Sequence, residues 1–222
     1  ETDAAKAELA EFQQKKQVSR EASLAESAAA RGNAFFQQND YEKALAEYRE
    51  AARLNPKDAR YCYDLSLALA QLGRTAEQKQ ALRDAIALDP ELTRAYSDLG
   101  ILEMNAGEFA AAEKSFRKAA DLDPQFAEAH NNLGVLYGQL GKVRESEAFF
   151  REAIKDDPNF APAYVNLALL EAGSGRLSTA EETIRKALAL APGDARAWSS
   201  LGMIQASSKG PQSARKAFEK AL

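Results

Sequence analysis

Five prolines, Pro56, Pro90, Pro124, Pro158 and Pro192, follow one another at intervals of 34 residues. The glycines Gly73, Gly107, Gly141 and Gly175 keep the same step, as do the leucines Leu65, Leu99, Leu133, Leu167 and Leu201. A fourth series is Ala51, Ala85, Ala119, Ala153, Ala187 and Ala221. A shared period of this length leaves few folds open, because each unit must be a short supersecondary element that buries its apolar face against its neighbours. The frame is 25–58, 59–92, 93–126, 127–160, 161–194 and a truncated 195–222.

Each unit reads as two helices. In the fourth, apolar residues recur at three and four positions from Ala127 to Leu140, the period of a helix. Gly141 then supplies a residue that tolerates the left-handed conformation at a helix end. The second helix runs from Arg144 to about Lys155 and stops near Asp157-Pro158, since a residue before proline avoids the α region. The recurring alanines let the paired helices approach, with Tyr48, Leu82, Phe116, Phe150, Ile184 and Phe218 as the bulky residues between them.

This pattern resembles the tetratricopeptide repeat. The third unit carries it as Tyr96, Leu99, Gly100, Ala112, Phe116, Ala119 and Pro124; the sixth as Trp198, Leu201, Gly202, Ala214, Phe218 and Ala221. The departures are Arg31 in place of leucine, Ser66 in place of glycine, Gln78 in place of alanine, and a turn glycine displaced to Gly210. The resemblance implies an all-α fold, a right-handed solenoid of six helical pairs. Residues 1–24 lie outside the register. Ala5, Leu9 and Phe12 mark an amphipathic helix there, read as a capping or linker helix, the former covering the end of the solenoid. With no glycine or proline before Gly32, that helix is compatible with running into the first repeat or with breaking near Ser19 to Ser23.

Charge narrows the function. Lys and Arg total 29 against 33 Asp and Glu, a net −4. That balance argues against nucleic acid, whose phosphates require a concentrated positive face. No uncharged apolar run reaches the ~18 residues of a membrane span. The single cysteine, Cys62, forms no intrachain disulfide. A start at Glu1 without methionine and an end inside a helical pattern suggest a segment of a longer protein.

No catalytic constellation emerges, and no cofactor or metal is expected. His130, the only histidine, holds the position of Cys62, Tyr96, Tyr164 and Trp198 in other units; it reads as a packing residue rather than a general base, which needs an orienting partner and a cleft. GSGRLS at 173–178 sits at the turn between paired helices, not after a strand as a phosphate loop would. Charged second-helix runs such as EKSFRKAAD read as solvated faces.

Asn132 recurs at the 34-residue step as Asp64, Asp98, Asn166 and Ser200. In the family this first-helix position faces the concave groove, which implies that ligands bind there. Asn132 and Asn166 match the asparagine ladder of the O-linked N-acetylglucosamine transferase family. An amide offers donors and acceptors together and suits the backbone of an extended peptide. Asn131, Asp98, Asp64, Arg94, Arg60 and Asn33 complete the candidate groove. Arg60–Asp64 and Arg94–Asp98 are spaced four apart, as helical ion pairs are. Leu67, Ile101, Val135, Leu169 and Met203 form an adjoining apolar row. Asn33 fits one place of a family clamp for C-terminal carboxylates, but Ala29, Ser97 and Ile101 replace its other residues, so such a clamp is not expected. The reading is a non-enzymatic module that binds a protein or peptide. Its alternatives are the substrate-recruiting region of an enzyme such as a glycosyltransferase, and end-to-end self-association through an uncovered Phe218 and Leu222.

Overall fold

Helices follow one another with turns of a few residues, and the described residues contain no strand. The computed structural model describes residues 3–222, with side chains from residue 6. The helices are α1 (Asp3–Gln37), α2 (Tyr41–Leu54), α3 (Ala59–Gln71), α4 (Thr75–Leu88), α5 (Thr93–Asn105), α6 (Phe109–Leu122), α7 (Ala127–Gln139), α8 (Val143–Asp156), α9 (Ala161–Gly173), α10 (Leu177–Leu190), α11 (Ala195–Lys209) and α12 (Pro211–Ala221). They fall into two compact units, Glu1–Leu102 and Glu103–Leu222, divided inside α5.

Turn chemistry sets this alternation. Within a pair, the turn glycines Gly73, Gly107, Gly141 and Gly175 adopt φ of 67–77°, a region closed to most side chains. The first pair uses Asn39 at φ 60° for the same purpose, and asparagine is among the few other residues that tolerate it. In the last pair Gly210 takes φ 90°, and α11 runs on to Lys209 before it. Between pairs, Asp58 and Asp194 accept hydrogen bonds from backbone N–H groups at the starts of α3 and α11, the usual satisfaction of orphan donors at an N-cap.

In the first unit α1 packs on α2, α2 on α3, and α3 on α4. Its core joins Leu45, Tyr48, Ala68 and Leu69, with Ala25, Ala28, Ala51 and Tyr61 beside them. In the second unit α7 pairs with α8, α9 with α10, and α11 with α12, while α7 touches α9 and α9 touches α11. Val165, Ala168, Ile184, Ala187, Leu201 and Ile204 are central to its core. The alanines at positions 51, 85, 119, 153 and 187 are fully buried. The bulky second-helix residue packs between the paired helices: the rings of Tyr48, Phe150 and Phe218 lie on Gly32, Gly134 and Gly202 of the preceding helix. Phe116 is fully buried, whereas Phe218 is 40% exposed.

At the N-terminus the continuous alternative is found, and the capping one is corrected. α1 is one helix from Asp3 to Gln37, with no break at Ser19–Ser23. It packs through Ala25, Ala28 and Ala29. Leu9 and Phe12 lie on roughly the opposite side at about 100° per residue, and both are exposed. Every residue from 6 to 20 is exposed, so this stretch covers no core. The side chain of Ala5 is outside the described residues.

Candidate peptide-binding face

The first helices of the second unit bring three predicted or equivalent positions together. Asn166 Nδ2 on α9 donates to Asn131 Oδ1 on α7 at 2.8 Å. Asn166 Oδ1 in turn accepts from Arg196 Nη2 on α11 at 2.8 Å. One amide thus links three consecutive first helices through both of its ends. Asn131 is buried, while Asn166 and Asn132 are half-buried. Ser200, the last of the row, is buried and donates to the Arg196 carbonyl, so it offers the groove no hydroxyl proton. Val135 and Leu169 are half-buried and Met203 is exposed, which leaves an apolar row beside the amides.

The first unit repeats the register with different chemistry. Tyr63 Oη donates to Asp98 Oδ2 at 2.9 Å, the same 35-residue step that joins Asn131 to Asn166. Asn33 accepts from the Tyr48 hydroxyl at 2.7 Å. The Asp64 carboxyl is pushed up to about 6, chiefly by burial; the Arg60 charge opposes the rise and Asp58 adds to it. Here an expectation fails. Arg60 does not pair with Asp64: its guanidinium binds Asp58 and Glu26, because the N-cap carboxylate is closer at hand than one a turn further on. Arg94 is exposed.

His130 lies against Asp156 through Nδ1 and stacks on Phe149, ring centroids 6.3 Å apart. Asp156 stands where Leu88, Leu122 and Leu190 stand in other units, so a polar pair replaces an apolar one at this packing site. Cys62 is half-buried, and burial together with Asp84 and Asp58 raises its thiol pKa. Gly175 forms the α9–α10 turn, and the following Arg176 is bound to Glu147; GSGRLS is a helix–helix connection.

Two features escaped the sequence reading. Arg196 shares its register with Arg60 and Arg94, a signal that was available. The second is that the charged second helices are not simply solvated. Glu113, Glu147 and Glu181 recur at the repeat step. Glu147 is held near 2, first by Arg176 and then by Arg151. Glu181 is likewise held at about 2 by Lys209, Arg185 and Gln205. These carboxylates tie second helices to the next pair. No helix of the described residues is long and apolar enough to cross a membrane.

Models described as TPR repeat and tetratricopeptide repeat match residues 32–73, 59–92, 97–160 and 139–204. Among solved structures, Pseudomonas aeruginosa pilF is similar over 89% of this chain and 90% of its own, at 16% identity and a TM-score of 0.75. The pilus biogenesis factor PilW is similar over 87% and 90%, at 20% identity and a TM-score of 0.77. The Cut9–Hcn1 complex matches over 94% of this chain but 41% of its own, at 18% identity and a TM-score of 0.81. Identities this low establish likeness of fold. No curated protein sequence matches the chain.

Proposed function

This chain belongs to the tetratricopeptide repeat family and is a protein-interaction module, and we propose that it holds an extended peptide against the first helices of its second unit. The carrying observation is the Asn131–Asn166–Arg196 chain of hydrogen bonds beside the row of Val135, Leu169 and Met203. The internal bonds use one donor and one acceptor site of the Asn166 amide. A second N–H and a second lone pair remain, and their directions are fixed before a ligand arrives. A peptide backbone offers a carbonyl and an N–H at matching spacing whatever its side chains, and the apolar row adds contact for alternate residues. Pre-orientation reduces the entropy lost on binding.

Partners captured on the whole chain and identified by mass spectrometry supply the peptide, and calorimetric titration tests the site. Asn166→Ala should weaken binding by about 1–3 kcal/mol, the cost of leaving a buried backbone group unpaired. Arg196→Ala should weaken it less, because Arg196 acts by orienting the amide. Unchanged affinity in Asn166→Ala would remove the groove from consideration.

A further inference from the structure

Two cavities of the second unit are one cavity repeated. The first is lined by Arg151, Tyr164, Leu167, Thr183 and Lys186. The second is lined by Arg185, Trp198, Leu201, Ala217 and Lys220. Each residue of the second stands 34 places after its counterpart. Their volumes, about 380 and 340 Å³, lie in the range of small ligand sites. Neither is lined by the amides or by Val135, Leu169 or Met203, so this surface is separate from the proposed groove.

Each cavity contains an aromatic ring held by its polar edge. Tyr164 Oη donates to the Pro158 carbonyl at 3.1 Å, and Trp198 Nε1 to the Pro192 carbonyl at 2.8 Å. In the repeat before them the same place is filled by the chain itself. There the counterpart of Thr183 and Ala217 is Phe149. Its ring stacks on His130, the counterpart of Tyr164 and Trp198, and tilts against Tyr137 with centroids 5.2 Å apart. The Arg117 guanidinium, the counterpart of Arg151 and Arg185, stands 5.9 Å from the Phe149 centroid. The protein thus displays the occupant its cavity accepts: an aromatic ring between an aromatic wall and an arginine, an arrangement that dispersion and cation–π attraction both favour. Thr183 and Ala217 are too short to fill that place.

Charge specifies the rest of the partner. The cavity at Trp198 is lined by no carboxylate; Arg185 on its wall is paired with Glu181, and the exposed Lys216 and Lys220 supply its positive charge, in a chain whose net charge is −4. Lys220 Nζ stands 4.4 Å from the Trp198 ring centroid. A positive rim around an aromatic socket attracts carboxylates that flank an inserted ring. We propose that the cavity at Trp198 binds an aromatic side chain of an acidic partner segment; its copy at Tyr164 is lined by Glu171 and Glu182 as well and shares the aromatic wall but not the positive rim.

Trp198 is the only tryptophan, so its emission reports the site directly. The probe is a blocked synthetic peptide carrying one Phe among Asp and Glu, titrated into the whole chain. A saturable change in emission is expected. It should be absent with Ala in place of Phe, and with Lys in place of the acidic residues. Ala217→Phe should lower the affinity at least about tenfold, the ring of one repeat being copied into the next; in energy that is at least about 1.4 kcal/mol. Lys216→Glu with Lys220→Glu changes two exposed residues and should give a similar loss, so the test survives if Ala217→Phe melts early. Asn166→Ala should leave the affinity unchanged, which keeps this result separate from that of the groove. An unchanged emission, an equal response to either control peptide, or full affinity in the lysine variant would overturn the proposal.

Discussion

At Gly134 an added Cβ would come within 2.5 Å of two carbons of the Phe150 ring, and at Gly32 and Gly202 it would meet Tyr48 and Phe218 as closely. Where the first helix carries a larger residue at this register, Ser66 or Ala168, the second helix carries Leu82 or Ile184 in place of a ring. Volume is therefore conserved across each pair, as close-packed interiors require. Gly134→Ala should destabilise by about 1–3 kcal/mol, the usual cost of overpacking. Phe150→Leu combined with it should cost less than the sum of the two changes, because the smaller side chain makes room. Urea melts of the three variants measure both effects, and strict additivity would show that the two residues do not share the site. Tyr61 presents the opposite situation. Its hydroxyl is buried and meets no partner in strict hydrogen-bond geometry among the described residues, and burial first, then the nearby Glu26 and Asp58, raises its pKa.

Among the elements, α1 combines two different helices in one rod. From Ala25 onward its small residues admit Tyr61 and the alanine Ala51, while residues 6–20 touch no core. Isolated helical turns are marginal in water, and the contacts of the exposed half are i,i+4 pairs such as Lys15–Glu11 and Gln17–Glu21, worth a few tenths of a kcal/mol. Removing residues 1–18 should therefore leave the melting temperature of the remainder within about 1 °C, since a change well under 1 kcal/mol shifts a chain of this size little. A clear fall on calorimetry would mean that Leu9 and Phe12 cover apolar surface after all.

For the whole molecule, stability in a repeat chain is a sum of units and of the joints between neighbours. In the second unit the joints are partly ionic. Glu181 on α10 accepts from Lys209 and Gln205 on α11, and Glu147 on α8 accepts from Arg176 ahead of α10. Both carboxyls sit at about 2 when folded, below their unfolded value of about 4.3. A depressed carboxyl contributes stability above the unfolded pKa and loses it as pH falls through the folded one. Glu181→Gln should thus cost about 2 kcal/mol at pH 7, and the gap from the parent chain should close between about pH 4 and 2. Thermal melts across that range decide it; a gap that persists at pH 2 would assign Glu181 a packing role independent of charge.

The 34-residue step, the turn glycines and the buried alanine series were legible in the residues alone, because stacking forces every unit to present the same residue type at the same place. The asparagine row was legible for the same reason, as a set of positions. Its bonding was not: sequence spacing places Arg60 a turn from Asp64, yet the nearer N-cap carboxylate of Asp58 and the Glu26 of the preceding helix take the guanidinium. Nor did the Leu9 and Phe12 stripe reveal which way it faces, since amphipathicity gives a side of a helix but not what lies beside it. Periodicity is local information carried by backbone geometry. Which donors reach which acceptors, and which cavities remain beside Tyr164 and Trp198, depends on side chains from three helices meeting, and only the folded chain brings those together.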